Sequence, residues 1–152
     1  MQHRLRFVTK HFSPTAAFNV LRVLCNALPA AGRYGNSVTR CRFGCGGPDN
    51  IRHYTSCPVY RMALWLASPA IHSAVSVPDD LVFCSPVEAD RGTTLRIALA
   101  IDGLYIAHCA MRDPPRTAMR VRSILDGRLR QLARLSDFFS KRIRVLARSL
   151  DL

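Results

Sequence analysis

Acidic side chains are scarce in this chain. Its 152 residues include 10 Asp and Glu, with one glutamate (Glu88) and no acid before Asp49. Lysine is rarer still, since 20 of the 22 basic residues are arginine, and the formal charge is +12 at pH 7. Two-metal phosphoryl chemistry needs several carboxylates that converge, and these scattered aspartates give no sign of such an arrangement. Gly-x-Ser-x-Gly and the Gly-rich phosphate loop are also missing, so no enzymatic activity is expected. Long apolar runs are lacking as well. The best candidate for a membrane span, residues 95–111, is broken by Arg96 and Asp102 and falls short of the roughly 18 uninterrupted apolar positions required. No membrane partner is expected.

What remains is apolar enough for one packed core, with 49% hydrophobic residues. Arginine's planar fork suits phosphate and can stack on bases, so the excess charge points to nucleic acid, RNA or DNA. A G+C-rich coding sequence would account for arginine in place of lysine, but it leaves the shortage of acids unexplained. The first 48 residues, basic and acid-free, also read as a mitochondrial transit peptide would. The preferred expectation is a helix belonging to the domain, and an intracellular, nuclear protein.

The pattern along the chain is mainly α. Ser13-Pro14 opens a helix whose Ala17, Leu21, Leu24 and Leu28 share a face until Pro29. Residues 30–50 carry five glycines and form a turn-rich loop. Asp49 is positioned to cap a short helix through His53, and Pro58 opens another carrying Val59, Met62, Ala63, Trp65 and Leu66. Residues 68–92 read as loosely structured, with a short strand at 81–84. Thr93 then caps an apolar helix, weakened at Gly103, that runs to Arg112. In the last segment Leu125, Leu129, Leu132, Ser136, Phe139, Ile143, Leu146 and Leu150 recur at alternating spacings of four and three. This predicts a long amphipathic helix with a basic opposite face. The organisation expected is a helical domain over 1–114 containing a knuckle at 41–58, followed by a basic helical tail over 115–152.

The chemistry lies in Cys41, Cys45, His53 and Cys57. Their spacing, C-x3-C-x7-H-x3-C, gives a Cys3His set that satisfies tetrahedral Zn2+ with no vacant position. Gly44, Gly46 and Gly47 permit the positive φ angles of a turn that aims N–H groups at thiolate sulfur. On a helix capped by Asp49, His53 and Cys57 would project from one face. The stretch between the outer cysteines is too polar and glycine-rich to need buried thiols for packing. Cys25, Cys84 and Cys109 read instead as core residues on apolar faces.

The run Cys41-Arg-Phe-Gly-Cys45-Gly-Gly-Pro-Asp49-Asn-Ile51-Arg-His53-Tyr54-Thr-Ser-Cys57-Pro58 resembles the zinc-knuckle segment that follows the polymerase domain in reverse transcriptases of non-LTR (LINE-like) retrotransposons, especially those of protists. The resemblance extends more loosely over residues 18–112, where Cys25-Asn26-Ala27-Leu28-Pro29 with Arg33 and Tyr34 looks like the family's lead-in. Many family knuckles have four residues between His and the last Cys, where this chain has three. No Tyr/Phe-x-Asp-Asp occurs, and no Asp/Glu-x-Lys follows Pro78-Asp79, so neither the polymerase nor the family's nuclease is present. The resemblance implies a detached C-terminal piece.

Two function classes follow. In the first, a nucleic-acid-binding module, Arg40, Arg42, Arg52 and Arg61 surround the knuckle and contact phosphate, while Phe43 and Tyr54 offer ring faces to unpaired bases. In the second, a zinc-organised helical module binds protein or a second copy through the residue 125–150 seam, and the two rings pack inward over the metal.

Overall fold

The computed structural model describes residues 2–25, 27–28, 30, 40–75, 91–111 and 117–138. Among them are seven helices and no strand; the only β-type pairing is a single bridge between Arg40 and Pro48. The expected strand at 81–84 lies outside the described residues.

Helix α1 (Gln2–His11) leads into α2 (Pro14–Leu24). Ser13 caps α2 as its position requires, its hydroxyl accepting the Ala16 N–H at 3.3 Å, with Pro14 where a missing N–H costs nothing. The helix ends earlier than Pro29: Cys25 is the C-cap and donates its N–H to the Leu21 carbonyl. Its buried residues are Ala16, Ala17, Asn19, Val20 and Val23, a broader face than expected; of the expected stripe, Ala17 is buried, Leu24 packs partly against the core, and Leu28, beyond the helix, is buried. Small side chains and one amide allow close approach to the central helix, which the larger leucines would prevent. Cys25 is exposed at the cap and Cys109 is half-buried, so neither is the core thiol expected from the sequence.

The central element is α6 (Arg91–Ala110), which packs against α1, α2, α5 and α7. It starts two residues before Thr93. Leu95, Ile97, Ala98, Leu99, Ala100, Ile101, Leu104 and Ala107 are all buried, the property of a helix covered on every side rather than on one stripe. Gly103 does not interrupt it. A Cβ there would stand 2.7 Å from Leu125 Cδ2, so the glycine lets α7 (Ala118–Phe138) lie close against α6.

Two further helices, α4 (Pro58–Ala67) and α5 (Pro69–Ala74), complete the body around the short α3 (Ile51–Ser56). α5 falls in the stretch expected to be loose, because Ser68-Pro69 repeats the start signal of α2: the Ser68 hydroxyl accepts the Ile71 N–H at 3.3 Å. On α4 the buried residues are Tyr60, Ala63 and Leu64, whereas Met62 and Trp65 are 53% and 50% exposed. On α7, Val121 and Leu125 are buried and Ile124, Leu129 and Leu132 pack partly against the core, where α4 and α6 cover them. The described part of the C-terminal seam is therefore at least partly engaged within the chain; Phe139, Ile143, Leu146 and Leu150 lie outside the described residues. Among the described residues no helix is long and apolar enough to cross a membrane.

One polar contact ties three helices together. Asp102 is fully buried in α6. It accepts from Asn19 Nδ2 of α2 at 2.8 Å and from Arg128 of α7 through Nε at 2.7 Å and Nη2 at 3.1 Å. The bidentate fork satisfies a carboxylate that burial would otherwise penalise heavily. Removing one partner strands the other. Asp102→Ala should cost about 3–5 kcal/mol in denaturant unfolding, and Asp102→Leu combined with Arg128→Leu should cost less than the single change. A double variant as damaged as the sum of its parts would show that the pair does not act as a unit.

Candidate metal centre

The knuckle has almost no regular structure to hold it, and its backbone turns on two glycines in the left-handed region, Gly44 at φ 83° and Gly46 at φ 82°. Cys41 N–H donates to the Gly47 carbonyl at 2.7 Å and Gly44 N–H to the Cys41 carbonyl at 3.0 Å, closing the loop. The turn then aims amides at sulfur: Phe43 N–H points at Cys41 Sγ and Gly47 N–H at Cys45 Sγ, each at 3.4 Å. Such N–H groups stabilise negative charge on sulfur. Gly47 does not take the positive φ expected of it. Its role is steric, because a Cβ there would lie 2.4 Å from Cε1 of the His53 ring.

The other two ligands come from α3 and the joint after it. Asn50, not Asp49, caps α3, its Oδ1 accepting the His53 N–H at 2.8 Å. The helix stops at Ser56, so Cys57 sits between α3 and α4 with φ −57° and ψ 119° instead of continuing a shared helical face with His53. The four side chains nonetheless converge, with their ligand atoms all within 4.8 Å of one another. Cys41 Sγ and Cys57 Sγ are 3.8 Å apart, Cys45 Sγ and Cys57 Sγ 3.7 Å, and Cys45 Sγ and His53 Nε2 3.0 Å. The thiols are free. Sulfur separations this large exclude a disulfide and match the edge of a tetrahedron with metal–sulfur bonds of about 2.3 Å, which is about 3.8 Å. The site can hold a metal ion.

Burial and pairing already polarise the thiols. The contact with Cys57 pulls the Cys41 thiol down to about 5, against the opposing effect of burial and with help from the Phe43 N–H. The same contact, with burial, pushes Cys57 up.

Around the ligands lies a layer the sequence disclosed only in part. Phe43 and Tyr54 are completely buried, meeting edge to face at 5.1 Å between ring centroids. Phe43 stacks on Tyr60 of α4 at 5.6 Å, and both Phe43 and Tyr54 meet His108 of α6 edge-on, at 6.4 and 4.8 Å. The expectation that these two rings stack on unpaired bases is thereby corrected: apolar burial against α4 and α6 takes both faces away from any partner. The Tyr54 hydroxyl donates to the buried carboxylate of Asp49 and accepts the Arg42 N–H at 3.2 Å. Burial and that carboxylate hold Tyr54 well above the usual phenol range. Asp49 also lies 3.9 Å from Arg42 Nε and 3.7 Å from His108 Nε2, which makes it an organiser of the knuckle rather than a helix cap. His108 was missed as a site residue. The available signal was its position on α6, four residues after Leu104 and seven after Ile101 on a wholly apolar face, where a histidine needs a polar reason to be buried.

The arginines separate into two kinds. Arg40 and Arg52 are exposed on the knuckle. Arg42 is held by Asp49, and Arg61 donates to the Val75 carbonyl, so these two are partly committed inside the chain.

Comparisons with protein-family models, with characterised proteins and with solved structures return no match.

The geometry makes two glycines unequal. Gly47→Ala should force the His53 ring aside and weaken metal binding by roughly 10-fold or more, the scale seen when a ligand's support is disturbed. Gly46→Ala meets no atom within 4 Å and should cost only backbone strain of about 1 kcal/mol. Competition with a chromophoric chelator measures both, and equal metal affinity for the two variants would contradict the role given to Gly47.

Proposed function

We propose that the chain is a zinc-stabilised helical module that binds nucleic acid through arginine–phosphate contacts and has no polymerase or nuclease activity of its own. Three thiolates and one imidazole with ligand atoms within 4.8 Å of one another form a donor set that suits Zn2+, and the closed set leaves no position for an activated water. Cys41, Cys45, His53 and Cys57 would hold the ion, and its role would be to fold the knuckle and seat it on α4 and α6. The resemblance of residues 41–58 to the knuckle after the polymerase of non-LTR retrotransposon reverse transcriptases supports the same reading.

The observation that carries the nucleic-acid assignment is the distribution of charge. Among residues with described side chains, every acid is committed internally: Asp49 to Tyr54 and Arg42, Asp102 to Asn19 and Arg128, and Asp126 to Arg122 at 3.6 Å. Arg40 and Arg52 stand exposed on the knuckle, and Arg130 is exposed on α7. With a formal charge of +12 and the described acids paired within the chain, the net field is positive, the footprint of a phosphate-backbone binder.

Two measurements test this reading. Protein purified under reducing conditions should contain one Zn2+ per chain; Cys41→Ser should lose it and Cys25→Ser should keep it. Affinity for an oligonucleotide should fall with salt by about 0.7 to 0.9 in log K per log salt for each phosphate neutralised. Replacing Arg40 and Arg52 together by Gln should lower that slope by about one to two while the zinc content stays unchanged. Salt-insensitive binding, or a slope unmoved by the two substitutions, would overturn the phosphate assignment.

A further inference from the structure

With Phe43 and Tyr54 sealed inside, the aromatic surface open at the knuckle's side of the described residues is on α4. Trp65 is 50% exposed and Met62, one turn before it, is 53% exposed, so the two lie side by side on the outer face of the helix that starts at the last metal ligand. Exposure of this much apolar area at neighbouring positions has no use in packing, since the opposite face of α4 supplies Tyr60, Ala63 and Leu64 to the core. The only other exposed large aromatic among the described residues, Phe18, is already covered by the Arg22 guanidinium at 4.3 Å from its ring centroid.

The setting of Trp65 selects its occupant. Residues 51–75, which form α3, α4 and α5, contain no acid and include Arg52 and Arg61. Arg61 is one turn before Trp65 and beside it on the helix surface. A hydrogen bond to the carbonyl of Val75, the C-cap of α5, fixes the guanidinium's direction. One nitrogen is used in that bond, and the remainder of the fork can donate to an anion. A flat apolar ring flanked by a braced cation, on a segment without negative charge, matches a nucleotide carried on a single strand: the base on the ring and its phosphate on the guanidinium. An apolar protein partner would satisfy Trp65 and Met62 but would gain nothing from the positive surround, and a duplex would keep its bases out of reach.

We infer that Trp65, supported by Met62, is a stacking platform for an unpaired nucleic-acid base, with Arg61 contacting the adjoining phosphate. This rests on the nucleic-acid reading above and specifies which form of nucleic acid is preferred. The zinc site gives the platform its place, because α4 begins at Cys57.

Trp65 is the sole tryptophan of the chain, so its emission reports on the platform directly. Zinc-loaded full-length chain is titrated with a labelled oligothymidylate and with a duplex of equal length, following label anisotropy and tryptophan emission together. Stacking predicts quenching by the single strand and little change with the duplex. Trp65→Ala should weaken single-strand binding roughly 5- to 150-fold, the range found when one stacked base is lost. It should leave duplex binding within about 2-fold, and Trp65→Tyr should restore most of the affinity. Circular dichroism and zinc content confirm that the half-exposed position tolerates the changes. Salt-dependent binding with unchanged emission, or with full affinity in Trp65→Ala, would overturn the platform and leave the phosphate reading standing. Absence of binding to either oligonucleotide would remove both.

Discussion

The contact on which the rest depends is the one between the knuckle and the helices, where Phe43 and Tyr54 meet Tyr60 and His108. A loop of this length with glycines at its turns cannot bury enough surface to fold alone. Metal ligation would give it a fixed shape, but a fixed shape held only by four side chains could still swing relative to the body. The two buried rings prevent that, and Asp49 supplies the polar counterpart by taking the Tyr54 hydroxyl within reach of His108. Ligands and rings alternate in the chain, His53 beside Tyr54 and Cys41 two residues from Phe43, so ligation orients the rings and packing orients the ligands. Each half lowers the entropy cost of the other.

Much of this was legible in the sequence, and the residues that were not share a physical reason. The ligand set, the helix starts at Pro14 and Pro58 and the amphipathic C-terminal helix follow from spacing and capping chemistry, which are local. Ser68-Pro69 carried the same start signal as Ser13-Pro14, and weight given to the surrounding prolines hid it. The inward turn of Phe43 and Tyr54 was open from sequence, because an aromatic beside a metal ligand can cover the metal or meet a partner. Only the arrival of α4 and α6 decides it. The breadth of α2's buried face is similar: a stripe of Ala17 and leucines at helical spacing gives no sign that Ala16 and Asn19 are buried as well. The structure nevertheless buries the small and polar pair, because Asp102 waits opposite.

Asp102 shows how a position that reads as a flaw becomes a constraint. In sequence it breaks an apolar run and argues only against a membrane span. In the fold it is the acceptor on which Asn19 and Arg128 converge, and it sets the register of α2 and α7 against α6. Gly103, the adjacent residue, removes the side chain that would hold α7 away. Charge and shape complementarity at these two positions together specify one arrangement where hydrophobic burial alone would tolerate several.

The economy of acids links this interior to the surface. A chain with few carboxylates has spent those described on fixing its own architecture: Asp49 under the knuckle, Asp102 between three helices, Asp126 along α7. Their partners Arg42, Arg122 and Arg128 are thereby neutralised, while Arg40, Arg52 and Arg130 are exposed. Net charge by itself says only that a protein will attract anions somewhere. When the described acids are paired within the chain, the attraction falls to exposed cations such as Arg40 and Arg52 on the knuckle and Arg130 on α7. The scarcity that makes catalysis by paired carboxylates implausible from sequence is thus the same feature that leaves the chain with its net positive charge.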